Sequence, residues 1–244
     1  RWLNEHPRTG MVFGKILKMG EGRRTEFDDC GSWLTWTGFL WARAGNAQTD
    51  HGQYNSPTPI LASKSATCAV RRSAMRQVDG FDSDYYILGE ETDLAWRLWQ
   101  TGWEVWYVPN AKSWHAFGCE ELKPKKGFYT DERIFYRGCL NYLRCLSTNL
   151  GGARLYGVLL LQLCIWFLAA FGFAVRGHWK RSLYIVRAIA DFFRTVPHTF
   201  RKHRNICHLR VHHHAVINSL VSSNPPLRYY VHRLASYLSQ GLHG

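Results

Sequence analysis

The distribution of apolar and polar positions in the first 120 residues predicts a mixed α/β fold. A buried strand is expected at residues 11–17 of "TGMVFGKILKMGEG", where a mostly apolar segment leads into a glycine-rich turn. A second strand near residues 67–70 precedes a short helix over about 72–78, which Gly80 ends. The segment "EVWYVP" predicts a third strand, closed by Pro109. Residues 21–60 lack such a pattern and are expected to form a long ordered loop.

A helix is predicted from Glu90, because Leu94 and Leu98, and less regularly Trp99, place apolar side chains on one face. Gly102 is expected to end this helix. Its first turn carries three carboxylates, where the positive end of the helix dipole favours anions: Glu90, Glu91 and Asp93. A carboxylate held at a helix start in a cleft can act as a general base, whereas the same acids can simply cap the helix. The pattern alone leaves both interpretations open.

Residues 155–175 form an apolar segment without a charged residue. As a helix it would measure about 31 Å, close to the ~30 Å of a bilayer core, which predicts a membrane segment; a buried core helix is the alternative. Basic residues flank both ends, so a span and a hairpin that dips into the membrane are both compatible. The basic amphipathic stretch that follows has apolar residues expected to face lipid: Leu183, Ile185, Val186, Ile189, Phe192, Phe193 and Val196.

The formal charge of +13 belongs to the second half of the chain. Residues 1–120 hold 13 basic and 14 acidic side chains, whereas residues 121–244 hold 18 basic and 4 acidic ones. A basic tail can bind nucleic acid or an anionic membrane, and the adjacent apolar segment favours the membrane. The seven cysteines contain no CxxC pair, which indicates reduced thiols facing the cytoplasm rather than disulfides or a zinc site.

The segment "VRRSAMRQVDGFDSDYYILGEETDLAWRLWQTGWEVWYVPNAKSWH" resembles the family 2 glycosyltransferases, inverting enzymes with the GT-A fold. It has the family's arginine-led short helix, Gly-Phe-Asp, an acidic pair, a further acid-Leu, Tyr-Val-Pro and a distal histidine, in that order. The segment "DHGQYN" at residues 50–55 is similar to a loop of the rhamnosyltransferase-like branch. The resemblance covers about residues 8–150.

This resemblance implies roles for seven residues. Glu90 and Glu91 match the family's Glu-Asp pair, whose second member is the catalytic base, so that Glu91 is one methylene longer than the usual Asp. Asp93 is the alternative base. His115 matches the histidine that joins a Mg²⁺ or Mn²⁺ bound to the donor diphosphate in the intact enzyme. Three further residues are expected to contact the acceptor or donor: Trp114, Arg97 and Gln53. Alternatively, Arg97 can pair with an acid one turn back, and Trp114 can pack in the core.

The family's N-terminal half, with its nucleotide cradle and Asp-x-Asp metal motif, has no counterpart before residue 9, and Asp28–Asp29 comes too late to be that motif. The chain is therefore expected to be α/β, the C-terminal half of a GT-A (Rossmann-like) glycosyltransferase domain over residues 1–150. An α-helical membrane-associated tail would occupy residues 151–244. An exposed sheet edge is expected where missing strands would pair. The "HHH" run at residues 212–214 is expected to be solvated or at the membrane surface rather than a metal site.

Three functions remain open from the sequence. The first is transfer of a sugar, with inversion, from a nucleotide-diphosphate sugar to a glycan or lipid-linked acceptor, at the cytoplasmic face of the cell membrane. The second is a catalytically inactive membrane-associated scaffold, which the Glu-for-Asp change and the missing half would favour. The third, a nucleic-acid binder, depends only on the basic tail, and no nucleic-acid partner is expected.

Overall fold

The computed structural model describes residues 1–20, 24–44, 48–116 and 132–211, together with 219, 230 and 231. The predicted "HHH" run lies outside these residues. Within them the fold is mixed α/β, and seven strands are present: β1 Thr9–Lys18, β2 Phe27–Asp29, β3 Ser32–Leu34, β4 Leu40–Ala42, β5 Thr58–Pro59, β6 Cys68–Val70 and β7 Glu104–His115. The helices of the described part are α1 Trp2–Glu5, α2 Arg72–Gln77, α3 Glu90–Gln100, α4 Arg133–Asn149, α5 Ala153–Val175 and α6 Trp179–Leu209.

The parallel pair β1 and β7 forms the centre of the main sheet, whose order is β2–β1–β7–β5 with β6 also paired to β1. Strand β1 is buried along almost its whole length, which explains its mostly apolar sequence. The prediction that β7 ends at Pro109 is wrong, because the strand continues to His115. The register shifts after the Gly14–Val108 pair and resumes at Lys15–Lys112, so the proline lies in a bulge and no ladder hydrogen bond is lost. A Cβ at Gly14 would collide with the Ala111 carbonyl of this bulge.

Residues 21–60 are not one long loop, since their described part contains strands β2 to β5. Strands β3 and β4 form a separate two-stranded sheet. The segment that resembles a rhamnosyltransferase loop is tied to β1 through Lys15, whose buried ammonium contacts Asp50 Oδ2 and Asn55 Oδ1, each at 2.6 Å. Four short strands and one buried lysine therefore order a region in which the apolar periodicity was too brief to predict strands.

Strand β6 forms an edge of the main sheet. Among the described residues it pairs with β1 alone, antiparallel through Met11–Val70 to Phe13–Cys68. Cys68 and Ala69 are exposed there. The expectation that missing strands would pair at an exposed edge of this sheet stays a prediction.

The three long helices α4, α5 and α6 pack on one another and on the sheet domain. Leu155 and Val158 of α5 belong to the same apolar cluster as Phe13 of β1, so the core continues across residue 150. A second cluster joins α4, α5 and α6 through residues that include Leu143, Phe173 and Ile189. The helices are therefore docked on the α/β part through continuous apolar contacts.

Helix α5 is, by length and composition, the one helix of the described part that could cross a membrane. One of its faces is nevertheless buried in protein: Leu155, Val158, Gln162, Trp166, Ala169, Ala170 and Phe173. The opposite side exposes large apolar residues that include Leu160, Phe167, Leu168 and Phe171. One side of the helix therefore packs on protein and the other is exposed, although both sides are mostly apolar in sequence.

The prediction that the apolar residues of α6 all face lipid is wrong. Ile185, Ile189 and Phe192 are buried against α4 and α5. Leu183, Val186 and Phe193 are exposed, as predicted. An amphipathic helix buries its apolar stripe against whatever apolar surface is nearest, and here most of that surface is protein.

Candidate functional site

The loop of residues 79–89 leads into the acidic start of α3 and has an unusual backbone. Asp79, Tyr86 and Leu88 have φ angles of 58°, 54° and 72°, and within the described residues they are the non-glycine residues with positive φ. Gly89, the N-cap of α3, has φ 90°. Such conformations cost about 1–3 kcal/mol each and persist only where surrounding contacts impose them, commonly at functional sites.

The Asn141 amide of α4 holds the second half of this loop. Its Nδ2 donates to the carbonyl oxygens of Tyr85 at 2.9 Å, Ile87 at 2.7 Å and Leu88 at 2.9 Å. Arg144, one turn further along α4, donates to the Asp84 carbonyl at 3.3 Å. The chain entering α3 is therefore fixed from α4.

Glu91 lies directly after this loop and lines a cavity of about 270 Å³. The cavity walls are mainly apolar, with the aromatic side chains of Trp96, Tyr142 and Trp166 and the polar side chain of Asn141. Burial and, after it, the neighbouring Glu90 carboxylate together raise the pKa of Glu91 to about 7. A carboxyl group with this pKa exchanges its proton near neutral pH, as a general base or acid must.

Glu90 accompanies Glu91 in the first turn of α3. Its Oε2 atom is buried without a hydrogen-bond partner among the described residues. Two carboxyl groups held side by side with little solvation favour retention of a proton between them, because both charges cannot be stabilised there. The pair can therefore hold a proton and accept or release it at the cavity.

Asp93 and Arg97 form a buried ion pair in the core. Asp93 has no exposed area, and its Oδ2 accepts from Arg97 Nε at 2.7 Å. Its Oδ1 accepts from Asn149 at 2.8 Å. Arg97 also donates to the Val78 carbonyl at 2.6 Å. The pairing of Arg97 with an acid one turn back is thus present, and neither residue lines the cavity beside Glu91.

His115 ends β7 and pairs with Asp28 of β2. Its Nδ1 lies 2.9 Å from Asp28 Oδ2, while Lys64 contacts Asp28 Oδ1 at 2.7 Å. A carboxylate at Nδ1 fixes the orientation of an imidazole, an arrangement common among metal-bound histidines. Within the part of the chain that the structure describes, no group of three or more His, Cys, Asp or Glu side chains could hold a metal ion. His115 therefore fits one ligand position and not a complete metal site.

Within the described residues, Glu91 and His115 do not line a shared cavity. His115 does not line the cavity described for Glu91. The negative charge of Asp29 nevertheless contributes to the raised pKa of Glu91, so the two carboxyl groups lie within electrostatic reach. Asp28, the next residue, binds His115.

The two remaining predicted contact residues are placed at the surface. Trp114 is 48% exposed, and its indole N–H donates to the Arg24 carbonyl at 3.1 Å. The Gln53 amide stays within its own loop, where Nε2 donates to the Thr49 carbonyl and Oε1 accepts from the His51 N–H. Trp114 neighbours His115 on β7, whereas Gln53 lies in the segment that Lys15 anchors.

Sequence reasoning missed Lys15 and Asn141. A lone lysine within the apolar segment of β1 was a usable signal, because a buried ammonium requires partners. Asn141 gave no comparable signal, since an asparagine in an amphipathic helix is ordinary and its three carbonyl partners are distant in sequence.

Comparison with known proteins gives partial matches. No family model matches the chain. Over 60 residues, 25% of its length, the chain is 48% identical to the N-acetylglucosaminyl-diphospho-decaprenol L-rhamnosyltransferase of Mycobacterium tuberculosis, in strain H37Rv and equally in strain CDC 1551. The match covers 20% of that relative, so the chain matches about a fifth of the length of these curated proteins.

Among solved structures, the chain is similar to GalNAc-T7 with UDP, GalNAc and Mn²⁺, at a TM-score of 0.40 and 15% sequence identity. This likeness covers 58% of the chain and 26% of GalNAc-T7. A TM-score below 0.5 does not establish a shared fold. The sequence similarity, by contrast, supports a glycosyltransferase.

Proposed function

We propose that the chain is the acceptor-side part of an inverting family 2 glycosyltransferase that transfers a sugar from a nucleotide-diphosphate sugar. The observation that carries the proposal is the position of Glu91 in an apolar cavity, with its pKa raised to about 7 by burial. The similarity to an L-rhamnosyltransferase over 60 residues supports the same class. Residues 1–150 would form the catalytic part and residues 151–244 the membrane-associated part.

Glu91 would remove the proton from the acceptor hydroxyl. The oxygen then attacks the anomeric carbon of the donor, the bond from that carbon to the diphosphate breaks, and the nucleoside diphosphate leaves with its electron pair. Attack opposite the departing group inverts the anomeric configuration. The apolar cavity would limit access of water to the base. Asp93 takes no part in this reaction, because its carboxylate is paired with Arg97 in the core.

The diphosphate side of the site would involve His115. The imidazole, oriented by Asp28, would hold one position on a Mg²⁺ or Mn²⁺ ion, whose other ligands would include the donor diphosphate. Such an ion, when bound, stabilises the negative charge of the departing diphosphate. Trp114, next to His115 on β7 and half exposed, is positioned for contact with the donor or acceptor.

The acceptor would be a lipid-linked glycan at the cytoplasmic face of the cell membrane. The exposed apolar side of α5 and the exposed residues Leu183 and Phe193 of α6 form an apolar surface, which we call the α5–α6 face. Trp166 of α5 lines the same cavity as Glu91, so one helix both lines the site of the base and carries this surface. The relative's name, which specifies a decaprenol-linked acceptor, is consistent with this assignment.

A catalytically inactive scaffold is the second candidate. Glu91 is one methylene longer than the aspartate usual at this position in the family it resembles, and a base displaced by about 1 Å can lose ~10²-fold in rate. Hydrogen bonds from α4 fix the loop before Glu91 and so maintain the geometry of the site. They favour an active enzyme over a scaffold.

The test is substitution of Glu91 in the full-length protein. Transfer would be measured from a nucleotide-diphosphate L-rhamnose to N-acetylglucosaminyl-diphospho-decaprenol, together with donor binding. Glu91→Gln should lower turnover by about 10²–10⁴-fold and leave donor binding unchanged, because the amide cannot accept the proton. Glu26→Gln is the matched control, since Glu26 pairs with Lys18 at the surface.

Two results would contradict the proposal. Turnover of Glu91→Gln within about threefold of the wild type would remove Glu91 from the role of base. Wild-type protein that binds vesicles and donor but transfers no sugar, with this or other nucleotide-diphosphate sugars, would favour the scaffold.

A further inference from the structure

We propose that Asn141 is a positioning residue that fixes the strained loop before α3 and so sets the place of Glu91 in its cavity. This inference rests on the proposed function of Glu91. Asn141 belongs to α4, is 1% exposed and lines the same cavity as Glu91. Its single amide nitrogen lies within hydrogen-bond distance of three loop carbonyls, those of Tyr85, Ile87 and Leu88.

The loop needs such a partner because its backbone is locally unfavourable. Tyr86 and Leu88 have φ angles of 54° and 72°, and Tyr86 is largely exposed. The Arg137 guanidinium lies over the Tyr86 ring, but a ring contact at the surface does not by itself impose a left-handed conformation on the backbone. The carbonyls on either side of Tyr86 are held by Asn141, and these bonds supply the constraint.

The orientation of the Asn141 amide follows from its partners. Carbonyl oxygens accept hydrogen bonds only, so the group that faces them must be the NH₂ end. Asn141 Oδ1 is buried without a hydrogen-bond partner among the described residues. The Asn141 side chain therefore binds the loop through Nδ2, while its Oδ1 atom accepts no hydrogen bond from the described residues.

The first half of the loop is held separately, from α6. Lys202 contacts Asp82 and Asp84 at 2.5 and 2.7 Å, and His198 contacts Asp84 at 2.9 Å. The residues that α6 holds come before Tyr85 in the chain. The carbonyls that Asn141 binds belong to residues between 85 and 88, which lead into Gly89 and Glu90. Removal of Asn141 would consequently free the part of the loop that adjoins Glu91, while α6 still holds its beginning.

Loss of the hydrogen bonds that the two Nδ2 hydrogens share among these three carbonyls should let the loop relax and bring Glu91 closer to water. The pKa of Glu91 is raised by burial first and by the charges of Glu90 and Asp29 after it, so better solvation must lower it. Cys68 and Cys145 are further titratable groups in electrostatic contact with Glu91, and burial raises the pKa of both thiols, which stay neutral at pH 7.

The experiment is a carboxyl titration of the full chain by NMR, with ¹³C-labelled glutamate and with Glu91 assigned through Glu91→Gln. In Asn141→Ala, the pKa of Glu91 should fall by about one unit or more, towards the ordinary value for glutamate. Gln100→Ala is the matched control, because Gln100 is also a buried amide, bound to Asn149 and Arg210, but lies at the far end of α3. The control should leave the pKa of Glu91 unchanged.

A rescue variant separates positioning from general stability. Glycine adopts positive φ without steric cost, so Tyr86→Gly should allow the loop to keep its shape without Asn141. The double variant Asn141→Ala with Tyr86→Gly should recover part of the lost pKa shift. If Asn141→Ala does not fold, Asn141→Ser, which retains one donor, replaces it and should give a smaller fall.

An unchanged pKa of Glu91 in a folded Asn141 variant would overturn the inference, and so would a fall of equal size in Gln100→Ala. These readouts do not depend on sugar transfer. A protein without transferase activity could still show the shift, and an active enzyme could still lack it, so failure of this inference and failure of the proposed function can be told apart.

Discussion

The proposed role of Glu91 as a base would come with a cost in stability. Burial raises the pKa of its carboxyl group from the ordinary 4.5 to about 7. Between those two values the folded protein holds a proton that the unfolded chain has released. The free energy of unfolding should therefore fall as the pH rises from 4.5 through about 7, and it should stay level above that range.

Glu91→Gln should consequently make the protein more stable at pH 8, although it should lower the proposed transfer activity. A neutral amide carries no charge that burial can penalise, so the variant should lack the decline in stability between pH 4.5 and 7. The difference in free energy of unfolding from the wild type at pH 8 should be on the order of 3 kcal/mol. Urea unfolding at pH 5 and pH 8 measures it, with Glu26→Gln as control; a wild type and variant with parallel pH profiles would contradict the prediction.

The candidate site was predictable where residues act through local spacing. The pair Asp93–Arg97 follows from positions one helical turn apart, and the acids of the first turn follow from the helix start. The role of Asn141 depends on carbonyls more than 50 residues away, which no local pattern encodes. The pairing of His115 with Asp28 likewise depends on the register of β1, β2 and β7.

At the scale of elements, helices with marked ends were predicted well. Helices α2 and α3 begin at the predicted residues 72 and 90, and Gly102, with φ 92°, follows the end of α3 as expected. Strand β7 was predicted too short, because its continuation past Pro109 depends on pairing with β1 across a bulge. The short strands β2 to β5 also form through partners distant in sequence, which the apolar pattern of a few residues cannot indicate.

The two adjacent phenylalanines of α6 test whether one side of this helix packs on protein while the other is available to lipid. Phe192 is 2% exposed and packs against α4 and α5, whereas Phe193 is 55% exposed. Phe192→Ala should lower the free energy of unfolding by about 3–5 kcal/mol, because it leaves a cavity in the helical core. Phe193→Ala should change it by about 0.5 kcal/mol or less but weaken binding to vesicles. Thermal unfolding and vesicle flotation measure the two effects; similar losses of stability in both variants would contradict the structure.

At the scale of the whole molecule, the proposed membrane association would have two separate contributions, apolar surface and charge. The α5–α6 face exposes large apolar side chains, and the second half of the chain carries 18 basic against 4 acidic residues. Apolar contact with lipid does not depend on ionic strength, whereas attraction to anionic lipid is screened over about 10 Å at 0.1 M salt and about 3 Å at 1 M. Salt therefore separates the two contributions.

Vesicle flotation of the full chain should show binding to neutral vesicles that does not change with salt. Binding to anionic vesicles should be stronger at low salt and should fall to the level of neutral vesicles at about 1 M salt. Leu168→Asp should abolish the salt-independent part, because Leu168 is exposed on the side of α5 opposite the protein. Its exposure also means that the substitution should change folding stability by about 0.5 kcal/mol or less. Ala170→Ser is the matched control on the buried side, which lipid does not reach. A protein that binds only anionic vesicles, and loses all binding at high salt, would show that charge alone attracts it and that α5 is a core helix.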